Sequence, residues 1–193
     1  MTPNWQLWRS LTRVIQIYEL SSSKIYDYLD DLLSNEGREI FLFNSRRKNK
    51  FAISLHDFRT FVRGDDTIYR MQVVYSYALL ESFAFNVIDA KFSTTITKGG
   101  GIESWGFGLG QALSIDMPRL FGGKEALVDG AIVRNIIAHG GERYAQSDMN
   151  RFLNCGFAVP PWQVGDSISI DYERARKIGA AFKALLREIQ HHL

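Results

Sequence analysis

The chain has 193 residues, 46% of them hydrophobic, which is enough for one compact domain with a substantial core. Its 23 Lys and Arg residues nearly balance 21 Asp and Glu residues, and a net charge of +2 excludes a global field that attracts nucleic acid or acidic partners. Cys155 is the only cysteine, which excludes an internal disulfide, and the four histidines form no sequence-local cluster that resembles a metal site.

The N-terminal part of the chain predicts two helices. Apolar residues recur at three- and four-residue steps over residues 5–18, and Ser21-Ser22-Ser23 then interrupts the pattern. A second apolar stripe covers residues 25–33, and Asn35 and Gly37 supply its stop signal.

A basic run follows residues 40–43, which fit either a short strand or a helical turn. The strongest local basic patch of the chain consists of Arg46, Arg47, Lys48 and Lys50. Such a run is usually a solvated loop, and the alternative is contact with RNA phosphates. Ser54 is then a candidate N-cap for a helix that ends near Gly64.

A long apolar pattern from Asp65 to Ile88 predicts a central helix that is buried on nearly every side. Glu81 lies in its middle, and a buried carboxylate without a partner is costly, so we expect a donor to meet it. A buried ion pair or a bond to backbone is the first interpretation. A direct role in a functional site is the second.

The segment from about residue 98 to residue 110 carries six glycines, too many for an ordinary helix interior, and predicts a mobile loop. A phosphate cradle is the alternative. However, no Gly-Lys-Ser/Thr follows, and the spacing fits neither the P-loop nor the dinucleotide-binding fingerprint.

The C-terminal half predicts three more helices. One covers residues 124–139, a short one carries Met149 and Phe152, and the last begins near Asp171. The alternation over residues 164–170 around Gly165-Asp166 predicts a small β-hairpin before that last helix. We therefore expect an all-α protein, an antiparallel helical bundle that forms a single domain over residues 1–193. No apolar run approaches the roughly 20 residues that cross a bilayer and the start lacks a signal-peptide pattern, so we expect a soluble cytoplasmic protein.

Three polar residues flank the apolar stripe of the helix over residues 124–139. At about 100° per residue, Arg134, Asn135 and His139 lie beside the stripe, and Gly140-Gly141 ends the helix. Arg134 and His139 are separated by about 7.5 Å of helical rise, so both side chains can reach one ligand. Asn135 and His139 are spaced for a hydrogen bond that would orient the imidazole. The structural alternative is that all three serve only as solvated residues or helix-capping groups.

Arg134, the polar Asn135, three further residues and His139 resemble the motif of the HEPN superfamily, in which His follows Arg after four to six residues. The resemblance implies an α-helical bundle of the HEPN type. It also implies a metal-independent endoribonuclease without a cofactor, of the kind found in toxin-antitoxin, abortive-infection or other defence systems. The motifs of two protomers typically face each other, so a homodimer is implied as well, with an antitoxin as a further partner.

Under this resemblance, Arg134 would bind the scissile phosphate, His139 would transfer protons and Asn135 would orient one of them. Glu81 is a supporting residue, and Arg143 joins the basic run as a candidate RNA contact. The chief alternative is a HEPN-type module that binds RNA, nucleotide or a protein without cutting. A third hypothesis is a phosphate-binding enzyme that uses the glycine-rich segment.

Overall fold

The computed structural model describes residues 2–36, 41–43, 52–54 and 66–193, with side chains for residues 2–20 and 66–193. Its elements are α1 (Trp5–Glu36), β1 (Phe41–Phe43), β2 (Ala52–Ser54), α2 (Thr67–Val87), α3 (Ile102–Ala112), α4 (Gly123–Ala138), α5 (Gln146–Asn154) and α6 (Tyr172–His191). A π-helical turn, Ile88–Phe92, extends α2, and a 3₁₀ turn, Met117–Arg119, precedes α4. The prediction of an all-α protein is confirmed.

The chain divides into two compact units. One contains Met1–Arg9 and Tyr69–Leu193, and the other contains Ser10–Ile68. In the second unit β1 and β2 pair antiparallel, with Leu42 opposite Ile53. The single domain expected over residues 1–193 stays a prediction.

Helix α1 corrects the prediction of two N-terminal helices, because it runs through Ser21-Ser22-Ser23 without a break. Serine in a helix interior is less favourable than alanine by no more than about 0.7 kcal/mol per residue, and the range Trp5–Glu36 contains no Gly or Pro. Residues 41–43 form a strand. Ser54 ends β2, while the helix predicted after it and the basic run Arg46–Lys50 lie outside the described residues.

The core of the larger unit is built on α2, α4 and α6. Tyr77 of α2 packs edge-on against Phe182 of α6, with ring centroids 5.5 Å apart, and Leu127 and Ile132 of α4 are fully buried in the same cluster. Helix α2 is buried on one face only, since Tyr75 is 54% exposed. The expectation that α2 is buried on nearly every side is therefore wrong.

Helix α3 corrects the predicted glycine-rich loop. The helix begins at Ile102 and takes Gly106, Gly108 and Gly110 into its interior. A Cβ added at Gly106 would lie 2.7 Å from the side chain of Ile102, and one at Gly110 would lie 2.8 Å from that of Met117. The glycines thus allow close packing on the buried face of the helix, which also carries Trp105 and Leu109.

The predicted hairpin over residues 164–170 is also absent from the described structure. This segment pairs with residues 142–144 instead: the Ile168 amide donates to the Glu142 carbonyl at 2.8 Å, and an isolated antiparallel bridge joins Arg143 to Ser167. The alternation did identify the buried face, because Ile168 and Ile170 are both buried.

The predicted C-terminal helices are confirmed as α4, α5 and α6. Asp171 is the N-cap of α6, where its carboxylate accepts from the Arg174 amide at 2.7 Å. Throughout the ranges that the structure describes, no helix is both long and apolar enough to cross a membrane.

Candidate functional site at the end of helix α4

The end of α4 is closed by a Schellman motif. The Gly140 amide donates to the Ile137 carbonyl at 3.1 Å, and the Gly141 amide donates to the Ile136 carbonyl at 2.8 Å. Gly140 has φ of +70°, which favours glycine, and a Cβ at Gly141 would lie 2.7 Å from the Ile136 side chain. The double glycine therefore terminates the helix and leaves His139 as its C-cap residue.

Arg134 has contacts with three neighbouring side chains. Its Nη1 donates to Asn135 Oδ1 at 3.0 Å, and its Nη2 donates to Glu81 Oε2 at 3.4 Å. Its guanidinium carbon lies 4.9 Å from the centroid of the Tyr77 ring. The side chain is 28% exposed. The guanidinium is therefore held by Asn135, Glu81 and Tyr77 and still reaches solvent.

Glu81 has the donor that its position in α2 requires, and that donor is Arg134. The carboxylate side chain is 25% exposed, so the pair is only partly desolvated. Glu81 thus orients Arg134 from the neighbouring helix.

His139 lies apart from this group. Its side chain is exposed, and within the ranges that carry described side chains the imidazole has no hydrogen-bond partner. The expected bond to Asn135 is not among the described contacts, and the Asn135 oxygen accepts from Arg134. With φ of −96° and ψ of 10°, His139 has also left the helical conformation that would align it with the preceding turn.

Tyr77 is a site residue that the sequence interpretation missed. Burial raises the pKa of its hydroxyl to about 12, and Glu81 acts in the same direction, while Arg134 and Arg151 oppose them. The hydroxyl is therefore neutral near pH 7. The signal that could have identified Tyr77 is its spacing, since it lies one helical turn before Glu81 on the same face of α2.

Two further ion pairs join helices of this unit. Arg151 of α5 makes two bonds to the Glu103 carboxylate of α3. Arg174 of α6 makes two bonds to the buried Asp129 carboxylate of α4, at 2.7 and 3.1 Å. Neither pair was predicted, although Asp129, like Glu81, is a carboxylate within an apolar helical pattern.

A cavity of about 890 Å³ opens beside Asp129 and Arg174, at the other half of α4. Phe121 and Val159 stand exposed at its edge. The residues that line this cavity do not include Arg134, Asn135 or His139. These three lie on the surface at the end of the helix.

Of the predicted RNA contacts, Arg143 is the one that lies among the described residues. The Arg143 side chain is exposed and donates from Nη1 to the Gly165 carbonyl at 2.7 Å. Arg46, Arg47, Lys48 and Lys50 lie outside the described residues. Over the described part of the chain, no group of three or more His, Cys, Asp or Glu side chains is arranged to hold a metal ion.

Comparisons of the chain with protein-family models, curated proteins and solved structures found no match.

Proposed function

We propose that the protein is a metal-independent endoribonuclease whose site is the end of helix α4, in line with its resemblance to the HEPN superfamily. The observation that carries the proposal is the hydrogen bonding of the Arg134 guanidinium. Among the described residues, Asn135 and Glu81 hold two of its five N–H groups, which leaves three for a phosphate. His139, the exposed C-cap residue of the same helix, would supply the proton-transfer group.

The proposed reaction is attack of a ribose 2′-hydroxyl on the adjacent phosphorus. The 2′-oxygen forms a bond to phosphorus, the bond to the 5′-oxygen breaks, and a 2′,3′-cyclic phosphate and a 5′-hydroxyl result. His139 transfers a proton in this step, and such a group typically contributes 10²- to 10⁴-fold. Arg134 stabilises the charge that develops on the phosphate oxygens, and loss of one such donor typically costs about 3–4 kcal/mol.

The proposed site is composite, formed by two copies of the chain. In one chain the imidazole of His139 is solvated and has no orienting partner among the described side chains, although a proton-transfer group must be held within hydrogen-bond reach of its substrate. A second copy facing the first would supply another Arg134 and another His139. A homodimer of the HEPN type, acting in a toxin-antitoxin or defence system under an antitoxin, is the biological setting that we propose.

The test is cleavage of labelled RNA in excess EDTA. Wild type is expected to yield 2′,3′-cyclic phosphate ends, and Arg134→Ala and His139→Ala are expected to abolish cutting. Arg176→Ala and His191→Ala are matched controls, because both side chains are exposed on α6. Intact RNA with wild type would refute the proposal. Cutting that persists in Arg134→Ala and His139→Ala would place the site elsewhere.

The composite site has its own test. Mixing Arg134→Ala with His139→Ala after brief unfolding and refolding creates mixed pairs in which each chain keeps one of the two groups. If Arg134 of one chain acts with His139 of the other, the mixture regains activity that neither variant has alone. A mixture as inactive as its components, or a monomer by sedimentation, would contradict the composite site.

The second candidate function is binding of RNA without cleavage. The observation in its favour is that Glu81 partly neutralises Arg134 while His139 lacks an orienting group within the described chain. A binding module would retain an RNA oligonucleotide intact in EDTA, and Arg134→Ala would weaken that binding while His139→Ala would not.

A further inference from the structure

We infer that Tyr77 is a positioning residue of the proposed ribonuclease site, with its ring serving as a fixed platform that holds the Arg134 guanidinium ready for the scissile phosphate. This inference rests on the proposed function. It concerns a residue that the HEPN-like motif does not contain.

The Tyr77 ring is itself immobilised by its neighbours. Only 2% of the residue is exposed, and its ring meets Phe182 edge-on at 5.5 Å and Trp105 at 6.1 Å between centroids. These three aromatic side chains come from α2, α6 and α3. Because the ring is tightly packed, its position does not change when a neighbouring side chain moves. It therefore restrains a side chain that packs on its face.

The Arg134 guanidinium lies within the range of a cation–π interaction with this ring, at 4.9 Å from the centroid. The ring restrains one direction, and the acceptors on Asn135 and Glu81 restrain the plane of the guanidinium. Arginine has many rotamers when it is free, and ordering them during the reaction would weaken transition-state stabilisation. Tyr77 therefore contributes by ordering Arg134 before RNA arrives.

The ring, and not the hydroxyl, supplies the effect. Burial raises the pKa of Tyr77 to about 12, so the hydroxyl carries no charge that could pair with Arg134 near neutral pH. Phenylalanine presents a similar ring face to a cation. Leucine fills part of the same volume and has no π face, so the two substitutions separate the ring from the packing.

The experiment compares Tyr77→Phe and Tyr77→Leu with Phe83→Leu, which removes another buried ring from α2. RNA cleavage is measured in EDTA below the unfolding temperature of each variant. Tyr77→Leu is expected to lower kcat by roughly 3- to 30-fold while KM changes by less than about twofold. Tyr77→Phe and Phe83→Leu are expected to keep kcat within about twofold of wild type.

A readout that does not depend on cleavage is the NMR signal of the Arg134 Nε–H group, assigned with Arg134→Lys. The ring current of Tyr77 should shift this signal in wild type and in Tyr77→Phe, and the shift should vanish in Tyr77→Leu. If wild type leaves RNA intact, the proposed function fails while the signal still tests the platform. An unchanged signal in Tyr77→Leu, or equal losses of kcat in Phe83→Leu and Tyr77→Leu, would overturn the inference.

Discussion

Removal of the Asp129 carboxylate should destabilise the larger unit strongly, because Asp129 joins three parts of its core. Its oxygens accept from Trp162 Nε1 at 2.9 Å and from Arg174 Nε and Nη2 at 3.1 and 2.7 Å, and its side chain is only 9% exposed. Asp129→Ala leaves a largely buried guanidinium without its countercharge and the indole N–H without an acceptor. Breaking such a pair from one side typically costs about 3–5 kcal/mol.

Urea unfolding followed by circular dichroism measures this loss of unfolding free energy. Asp129→Asn and Glu173→Ala serve as control variants. Asp129→Asn keeps the shape and one oxygen acceptor and should lose less than Asp129→Ala. Glu173→Ala removes the partner of Arg176 from an exposed pair, and should change the unfolding free energy by less than about 0.5 kcal/mol. If Asp129→Ala is as mild as Glu173→Ala, then the buried pair does not anchor α4, and the reasoning from burial fails.

Three further predictions concern residues around the site and its helix. Glu81→Ala should change the unfolding free energy by less than about 1 kcal/mol, since the pair is partly exposed. The same variant should lower RNA cleavage about tenfold, because Arg134 is no longer held in place. Unchanged cleavage in Glu81→Ala would contradict this. Burial raises the pKa of Tyr144 from 10.0 to about 12, so its contribution to stability is complete below pH 10 and is lost as the pH rises through 12. In urea titrations at pH 9 and 11, Tyr144→Phe should therefore lose less stability over that interval than wild type. Gly140→Ala should destabilise by about 1–2 kcal/mol, because φ is +70° there, whereas Gly99→Ala, with open space around the added Cβ and no positive φ, should have little effect in the same assay.

The C-terminal helices could be predicted because their signals are local. Asp171 stands directly before the first turn of α6, and Gly140 directly after the last turn of α4. The helical conformation of the glycine-rich segment could not be predicted from local signals. The neighbour that makes Gly110 favourable in α3 is Met117, which lies beyond that helix, and its close packing offsets a helix penalty of about 1 kcal/mol per glycine.

The sequence indicated which polar residues of the candidate site need partners, but not which residues those partners are. The position of Glu81 in an apolar pattern indicated that a donor must meet it, but the donor, Arg134, lies 53 residues further along the chain. Tyr77 looked like an ordinary core residue because its apolar neighbours give the same pattern. Only the packing of α2 against α4 reveals that the face of this ring is used by Arg134.

The contrast between Arg134 and Arg174 explains why two similar ion pairs suggest different roles. Each arginine meets a carboxylate from another helix. Arg174, however, makes four bonds from its guanidinium, to Asp129 twice, to the Tyr144 hydroxyl and to the Ser169 carbonyl, so one N–H is left. Both guanidinium groups lie over a tyrosine ring, but Arg134 makes only two bonds to described side chains, which leaves three N–H groups, and more of its side chain is exposed. A guanidinium with four of its five N–H groups bonded joins helices, whereas one that is oriented and keeps three N–H groups can bind an incoming anion. On this difference Arg134 is the better candidate for a phosphate contact.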